Sequence, residues 1–297
     1  MQELINAVSL GCIYMLFAMG MSLVWGTLDV LNFAHGSIFM FSAFSGFYLM
    51  QETGNSLPLA ALLLVGVVVG ALMSVLAYQL VLRPILRRAK DKDSAERQIL
   101  IGGIGLAGIP VAIVQIQTLS NPFSFRAGSF EVASYDFLGA RISNIQIVIW
   151  VVGVLLGTAV VLWLRRSRSG LALRSIGVDS EVASLMGIDQ GRLGVAAMAV
   201  AGGMAGLSGA LLCVSFGALT AESGDVLLLK AFAIIILGGV GSMLGTIIGA
   251  FFLAGAETLL IANTSGTWVD AVSFGLLFLV LLVRPQGILG RQEVRRT

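Results

Sequence analysis

A single histidine, His35, limits what this chain could catalyse. No G-x-S-x-G elbow accompanies it, no H-E-x-x-H occurs, and no two carboxylates share an apolar setting. Gly238-Gly239-Val240-Gly241-Ser242 lacks the lysine of a phosphate-cradling loop. Cys12 and Cys213 sit in apolar runs without metal-ligand spacing and read as small buried hydrophobes. No catalytic residue, no metal and no cofactor bound by this chain is expected.

The remaining polar residues point to passage and docking. Asp29 to Ser37 interrupts the first apolar runs with an acid, Asn32 and His35, and Leu237 to Gly245 interrupts a later one. Both contain Gly-Ser followed by an apolar stretch and then Ala-Phe, the mark of two corresponding broken segments. Broken backbone in lipid is tolerated only against protein or a water-filled cavity. Asn32, His35, Gly36, Ser37, Gly239, Gly241 and Ser242 are therefore the candidates to line a pathway. A plain cytoplasmic turn at Asp29–Ser37, and a tight hairpin tip at Gly238–Ser242, are the competing readings. His35 reads as a hydrogen-bonded structural group, with a proton relay as the alternative. Lys230 reads as snorkelling outward, and Glu257 as lying near a membrane interface, with an inter-helix cavity or the cap of a neighbouring helix as its alternatives.

Between Arg165 and Arg192 runs a polar loop whose apolar residues, Val178, Val182, Leu185, Met186 and Ile188, recur at helical spacing. A surface helix with an apolar stripe and no core of its own is expected to dock on a partner.

The elements that must hold these residues are membrane helices. The chain has 297 residues, 57% hydrophobic and 11% charged, with a mean hydropathy of +0.96; a soluble domain carries about 25% charged residues. With 18 basic against 16 acidic residues, no nucleic-acid partner is indicated. Spans are expected at Leu4–Leu28, Phe33–Met50, Leu57–Leu82, Ile99–Leu119, Ile145–Leu164, Leu193–Phe216, within Val226–Ala262, and at Trp268–Val283. The class is all-α: a single transmembrane domain over 1–297 with about eight or nine membrane-inserted helices. Its N-terminus has no basic region and does not read as a cleaved signal peptide. The segments Arg83–Arg97, Arg165–Arg192 and the tail from Arg284 hold 15 of the 18 Lys and Arg residues. By the positive-inside rule they face the cytoplasm, with the N-terminus outside and the C-terminus inside. Gln51–Ser56, Ser120–Asn144 and Gly217–Asp225 are then outer loops.

Gly11 to Gly20, Asn32-Phe33-Ala34-His35-Gly36, Arg174 to Gly187, Lys230-Ala231-Phe232 with Gly238 to Ser242, and Arg284-Pro285-Gln286-Gly287 carry a resemblance over nearly the whole chain. It resembles the permease subunits of bacterial ABC importers for branched-chain amino acids, the shorter of the two. The resemblance implies an ATPase-coupling helix at Asp179, Glu181, Val182, Ala183, Met186 and Gly187. Here Val182 departs from the usual Ala of the E-A-A-x-x-x-G pattern. It implies as partners a second related permease, two cytoplasmic ATPase subunits that use ATP and Mg, a periplasmic or surface binding protein, and the lipid of a bacterial plasma membrane. Related systems import urea, short amides or aromatic acids. A stand-alone channel and a membrane scaffold are the rivals from other classes, and neither needs an exposed docking helix.

Overall fold

A computed structural model describes residues 1–54, 57–89, 91–125, 132–137 and 139–263, with isolated positions beyond. The expected last span at 268–283 lies, apart from such positions, outside the described residues, as does the basic tail. Among the described residues, eleven α-helices run in the order α1 (Gln2–Leu28), α2 (His35–Glu52), α3 (Leu59–Ala77), α4 (Arg83–Arg88), α5 (Lys92–Thr118), α6 (Asn144–Arg166), α7 (Arg168–Val178), α8 (Ser180–Leu185), α9 (Gln190–Phe216), α10 (Ser223–Gly238) and α11 (Met243–Asn263). Between α5 and α6 stands a two-stranded antiparallel hairpin, β1 (Ser134–Phe137) and β2 (Ala140–Ser143), an exception to the all-α expectation. Among the described residues, six helices are long and apolar enough to cross a membrane. Neither α2 nor α10 is one of them.

Sequence chemistry explains the local boundaries. Ser143 and Gln146 form a reciprocal capping box that starts α6. A π-turn at Tyr78–Leu82 links α3 to α4 just before Pro84, whose nitrogen has no proton for the α-helical ladder. Apolar on all sides, α1 and α9 are buried along most of their length, as central helices must be. By contrast α3, α5 and α6 bury less than a third of their spans and form the rim.

The end of α1 meets α7, where the Gly177 Cα abuts the backbone of Gly26 and Thr27. The start of α1 meets β2 and α6, where the Gln2 side-chain amide donates to the Arg141 carbonyl at 3.1 Å and Gln146 donates to Asn6 at 3.1 Å. Thus α1 runs from the β-hairpin face to the face bearing α7 and α8. Helix α9 starts just after α8, and the residues following it pair back with Phe123, so it runs the other way.

These two antiparallel helices head an inverted repeat. A shift of 188 positions carries Gln2–Leu28 onto Gln190–Phe216 and His35 onto Ser223. Both first helices end on a left-handed residue, Asp29 (φ 53°) and Gly217 (φ 80°). Their amides donate four residues back, Asp29 to the Trp25 carbonyl and Gly217 to that of Cys213. Each short linker then closes the same turn, with the His35 amide donating to Asn32 O and the Ser223 amide to Thr220 O, both at 3.1 Å. Packing follows the same symmetry: α3 lies on α9, and α11 on α1. The counterpart of the first break is therefore Gly217–Glu222, not Gly238–Ser242. The shared Gly-Ser misled because the repeat is carried by backbone geometry rather than by residue identity.

Both linkers turn back into the bundle. The His35 ring nitrogen Nε2 lies 3.2 Å from the Phe17 carbonyl, and its Cε1 lies beside the Gly20–Ala201 contact. Phe17 and Ala201 each sit two residues from the middle of their helices, so α2 starts near mid-membrane. The short-turn reading of Asp29–Ser37 is thereby excluded. Gly36 abuts Gly224 backbone to backbone, which sets the start of α10 at the same depth. Gly217–Asp225, expected as an outer loop, instead descends to the middle of the bundle.

A docking helix and a midplane junction as the candidate functional site

The docking segment is two helices rather than one. Asp179 breaks it: its carboxylate accepts from the amides of Glu181 and Val182, both at 3.0 Å, and caps α8. The helix ends at Gly187, whose φ of +82° suits a residue without Cβ; its amide donates to Ser184 O. Ala183 is buried toward the bundle. Val178, Leu185 and Met186 are 87%, 81% and 79% exposed, and Val182 and Glu181 also face outward. The apolar stripe thus points away from its own chain, and Ile188 alone is partly covered. Replacing Asp179 by Ala removes the cap, at about 1 kcal/mol. The expected result is faster hydrogen exchange at the Glu181 and Val182 amides with the bundle helices unchanged.

Beside α8 a cleft of about 910 Å³ reaches the end of α1 and the start of α5. Asp29, Asp91, Glu96, Asp179 and Glu181 line it. Asp29 is also the first residue of the linker that climbs to His35, so the docking face and the midplane junction share a wall.

At the junction Asn32, His35, Gly36 and Ser37 come together as expected, all buried. Asn32 Oδ1 accepts from the Ala34 amide and the Ser37 hydroxyl donates to the Ala34 carbonyl. The His35 ring lies 4.7 Å from that of Phe17. Gly239, Gly241 and Ser242 do not join them. They form the turn between α10 and α11 near the α7 face, where Gly241 lies against Gly26 and borders a cleft of about 320 Å³ with Ser22, Arg165 and Arg174. Ser242 caps α11 through the Gly245 amide at 3.1 Å. The seven pathway candidates thus divide between two depths.

One polar group lies deeper than the favoured readings of its two residues. Lys230 does not snorkel outward and Glu257 does not lie at an interface. The two form an ion pair of 2.9 Å, 8% and 2% exposed. The Tyr14 hydroxyl donates to Glu257 at 2.7 Å, and Lys230 Nζ lies 3.3 Å from that hydroxyl. Three helices are tied together near the middle of α1 by residues 216 and 243 positions apart. No local sequence pattern marks such a pairing. On the β-hairpin face a cleft of about 560 Å³ opens above it, lined by Asn6, Ser9, Gln146, Ser215 and Thr258 among others.

Comparison with known proteins places these features in context. The family model described as "Branched-chain amino acid transport system / permease component" matches residues 4–281. The high-affinity branched-chain amino acid transport system permease protein LivH of Salmonella typhimurium is 33% identical over 300 residues, covering 100% of this chain and 97% of LivH. BraD of Pseudomonas aeruginosa, with the same description, is 31% identical over 312 residues, covering 100% of this chain and 97% of BraD. The autoinducer 2 import system permease protein LsrC of Salmonella paratyphi B is 27% identical over 293 residues, covering 95% and 78%. No solved structure matches the chain.

Proposed function

Because the chain belongs to the family of branched-chain amino acid transport permeases, we propose that it is the membrane subunit of an ATP-driven importer and conducts leucine, isoleucine and valine. It does no chemistry itself; ATP and Mg are used by two cytoplasmic ATPase subunits. A second related permease completes the passage, and a binding protein delivers the solute at the β-hairpin face. The basic face is cytoplasmic, which puts the N-terminus outside and the C-terminus inside. The branched-chain solute follows from LivH and BraD, both above 30% identity over the full chain.

The observation that carries the coupling role is the outward apolar stripe on α8. Val182, Leu185 and Met186 would bury in a groove of the ATPase, while Asp179, Glu181 and Gly187 hold the helix in shape and Ala183 seats it on the bundle. The midplane linkers would border the passage and move as α8 is drawn inward. Switching of this kind requires ATP and solute to bind the two states unequally.

The complete importer in proteoliposomes tests this. Replacing Glu181 by Ala together with Gly187 by Val is expected to lower leucine uptake about tenfold or more, the size of an ordinary coupling free energy. Membrane insertion and basal ATP hydrolysis persist. Normal uptake by that variant would sink the coupling assignment.

A further inference from the structure

We infer that the aqueous passage runs down one face of the second repeat, along the Gly217–Glu222 linker and the first two turns of α10. The inference rests on the importer reading for its solute, but its geometry stands apart from it. Along the extended linker, exposure alternates: Ala218, Thr220 and Glu222 face outward while Leu219 and Ala221 are buried. The stripe continues on α10 as Asp225, Val226 and Leu229, at helical spacing from Glu222. On the opposite side Gly224, Leu227, Leu228 and Ala231 pack into the bundle.

Depth decides what this stripe can face. Gly224 lies against Gly36, beside His35, which reaches the carbonyl of Phe17 near the middle of α1. Glu222 and Asp225 are therefore two exposed acids close to the bilayer midplane. Lipid is the one surrounding they cannot have: charged side chains at that depth face a bundle interior or a water-filled cavity.

The first repeat supplies the contrast. A shift of 188 positions carries Ala34, Ser37 and Ile38 onto Glu222, Asp225 and Val226. Those three are buried, and none is charged. The two linkers share a backbone yet differ in surroundings, so this polarity belongs to one side of the molecule and not to the repeat. From Val226 on the stripe is apolar, and it becomes half-buried at Phe232 and Ile236. The passage is thus polar from the β-hairpin face to the midplane and narrows onto apolar residues beyond it. Such a wall suits a solute with an ammonium group at one end and an aliphatic side chain at the other.

Cysteine accessibility in the assembled importer tests this. Cys12 and Cys213 are replaced by Ala, and single cysteines are introduced as Val226→Cys and Leu229→Cys, which leave both acids in place. Val154→Cys and Ile109→Cys, on exposed apolar rim surfaces of α6 and α5, serve as controls. A charged, water-soluble thiol reagent is expected to modify the α10 positions at least about tenfold faster than the controls, because apolar surroundings suppress the reactive thiolate. Leucine with its binding protein should slow that labelling. Labelling only by a lipid-soluble maleimide would put this face in lipid, and labelling by neither reagent would put it against protein; both outcomes overturn the inference. Leucine uptake by the cysteine-free parent is measured separately. Its absence would count against the importer reading and not against the placement of the passage.

Discussion

Replacing Gly36 by Val abolishes uptake and leaves little correctly folded chain. A Cβ at Gly36 would land on the carbonyl of Gly224, and one at Gly224 on the carbonyl of Gly36. Both obstacles are backbone, so no side chain can swing away, and Leu228 Cβ closes a third side at 3.1 Å. Overpacking a well-filled site costs about 1–3 kcal/mol and occasionally more; a collision of main chains at the crossing of two repeats belongs at or above the top of that range. Gly203→Ala is the control, since the atoms nearest its Cβ begin at 3.5 Å. Thermal unfolding in detergent and uptake in proteoliposomes measure both. A Gly36→Val chain that melts and transports like the parent would show that the two linkers do not meet as described.

The second large effect is at the buried ion pair. Replacing Lys230 by Met leaves the Glu257 carboxylate inside the bundle with its cation gone. Breaking one partner of such a pair typically costs about 3–5 kcal/mol. The double variant Lys230→Met with Glu257→Gln removes both charges and lets a neutral amide keep a hydrogen bond to Tyr14, so most of the lost stability should return. The same melting experiment on the single and double variants reads this directly. Equal damage in both would mean that packing around the lysine stem, not charge balance, holds α10 to α11. The symmetry-related interface offers a comparison. Gly202 and Ser42 stand at the positions that the shift pairs with Tyr14 and Lys230, and Gly202 packs closely on Gly70 and Ser74 of α3. One interface is closed by small residues, and its counterpart by charge.

These predictions turn on features of unequal legibility. Val178, Val182, Leu185 and Met186 could be read as a docking stripe because helical periodicity is local. The break at Asp179 was not read from the same residues, although an acid before Ser-Glu is itself a capping signal. Asn32, His35, Gly36 and Ser37 were found together because they adjoin in sequence. Gly239, Gly241 and Ser242 were grouped with them on residue identity alone, and they lie at another depth.

Hydropathy by itself determined that the chain is a multi-pass membrane protein, where its long helices run and which loops are basic. Those properties follow from summed transfer energies of neighbouring residues, which need no knowledge of the fold. Only the tertiary structure decided that Asp29–Ala34 and Gly217–Glu222 turn back to mid-membrane, that Lys230 meets Glu257, and that Glu222 and Asp225 sit at the midplane. A short polar linker has the same composition at a surface as inside a bundle. Its depth is set by the helices it packs on, here through Phe17, Ala201 and the Gly36–Gly224 contact, and those partners lie far away along the chain.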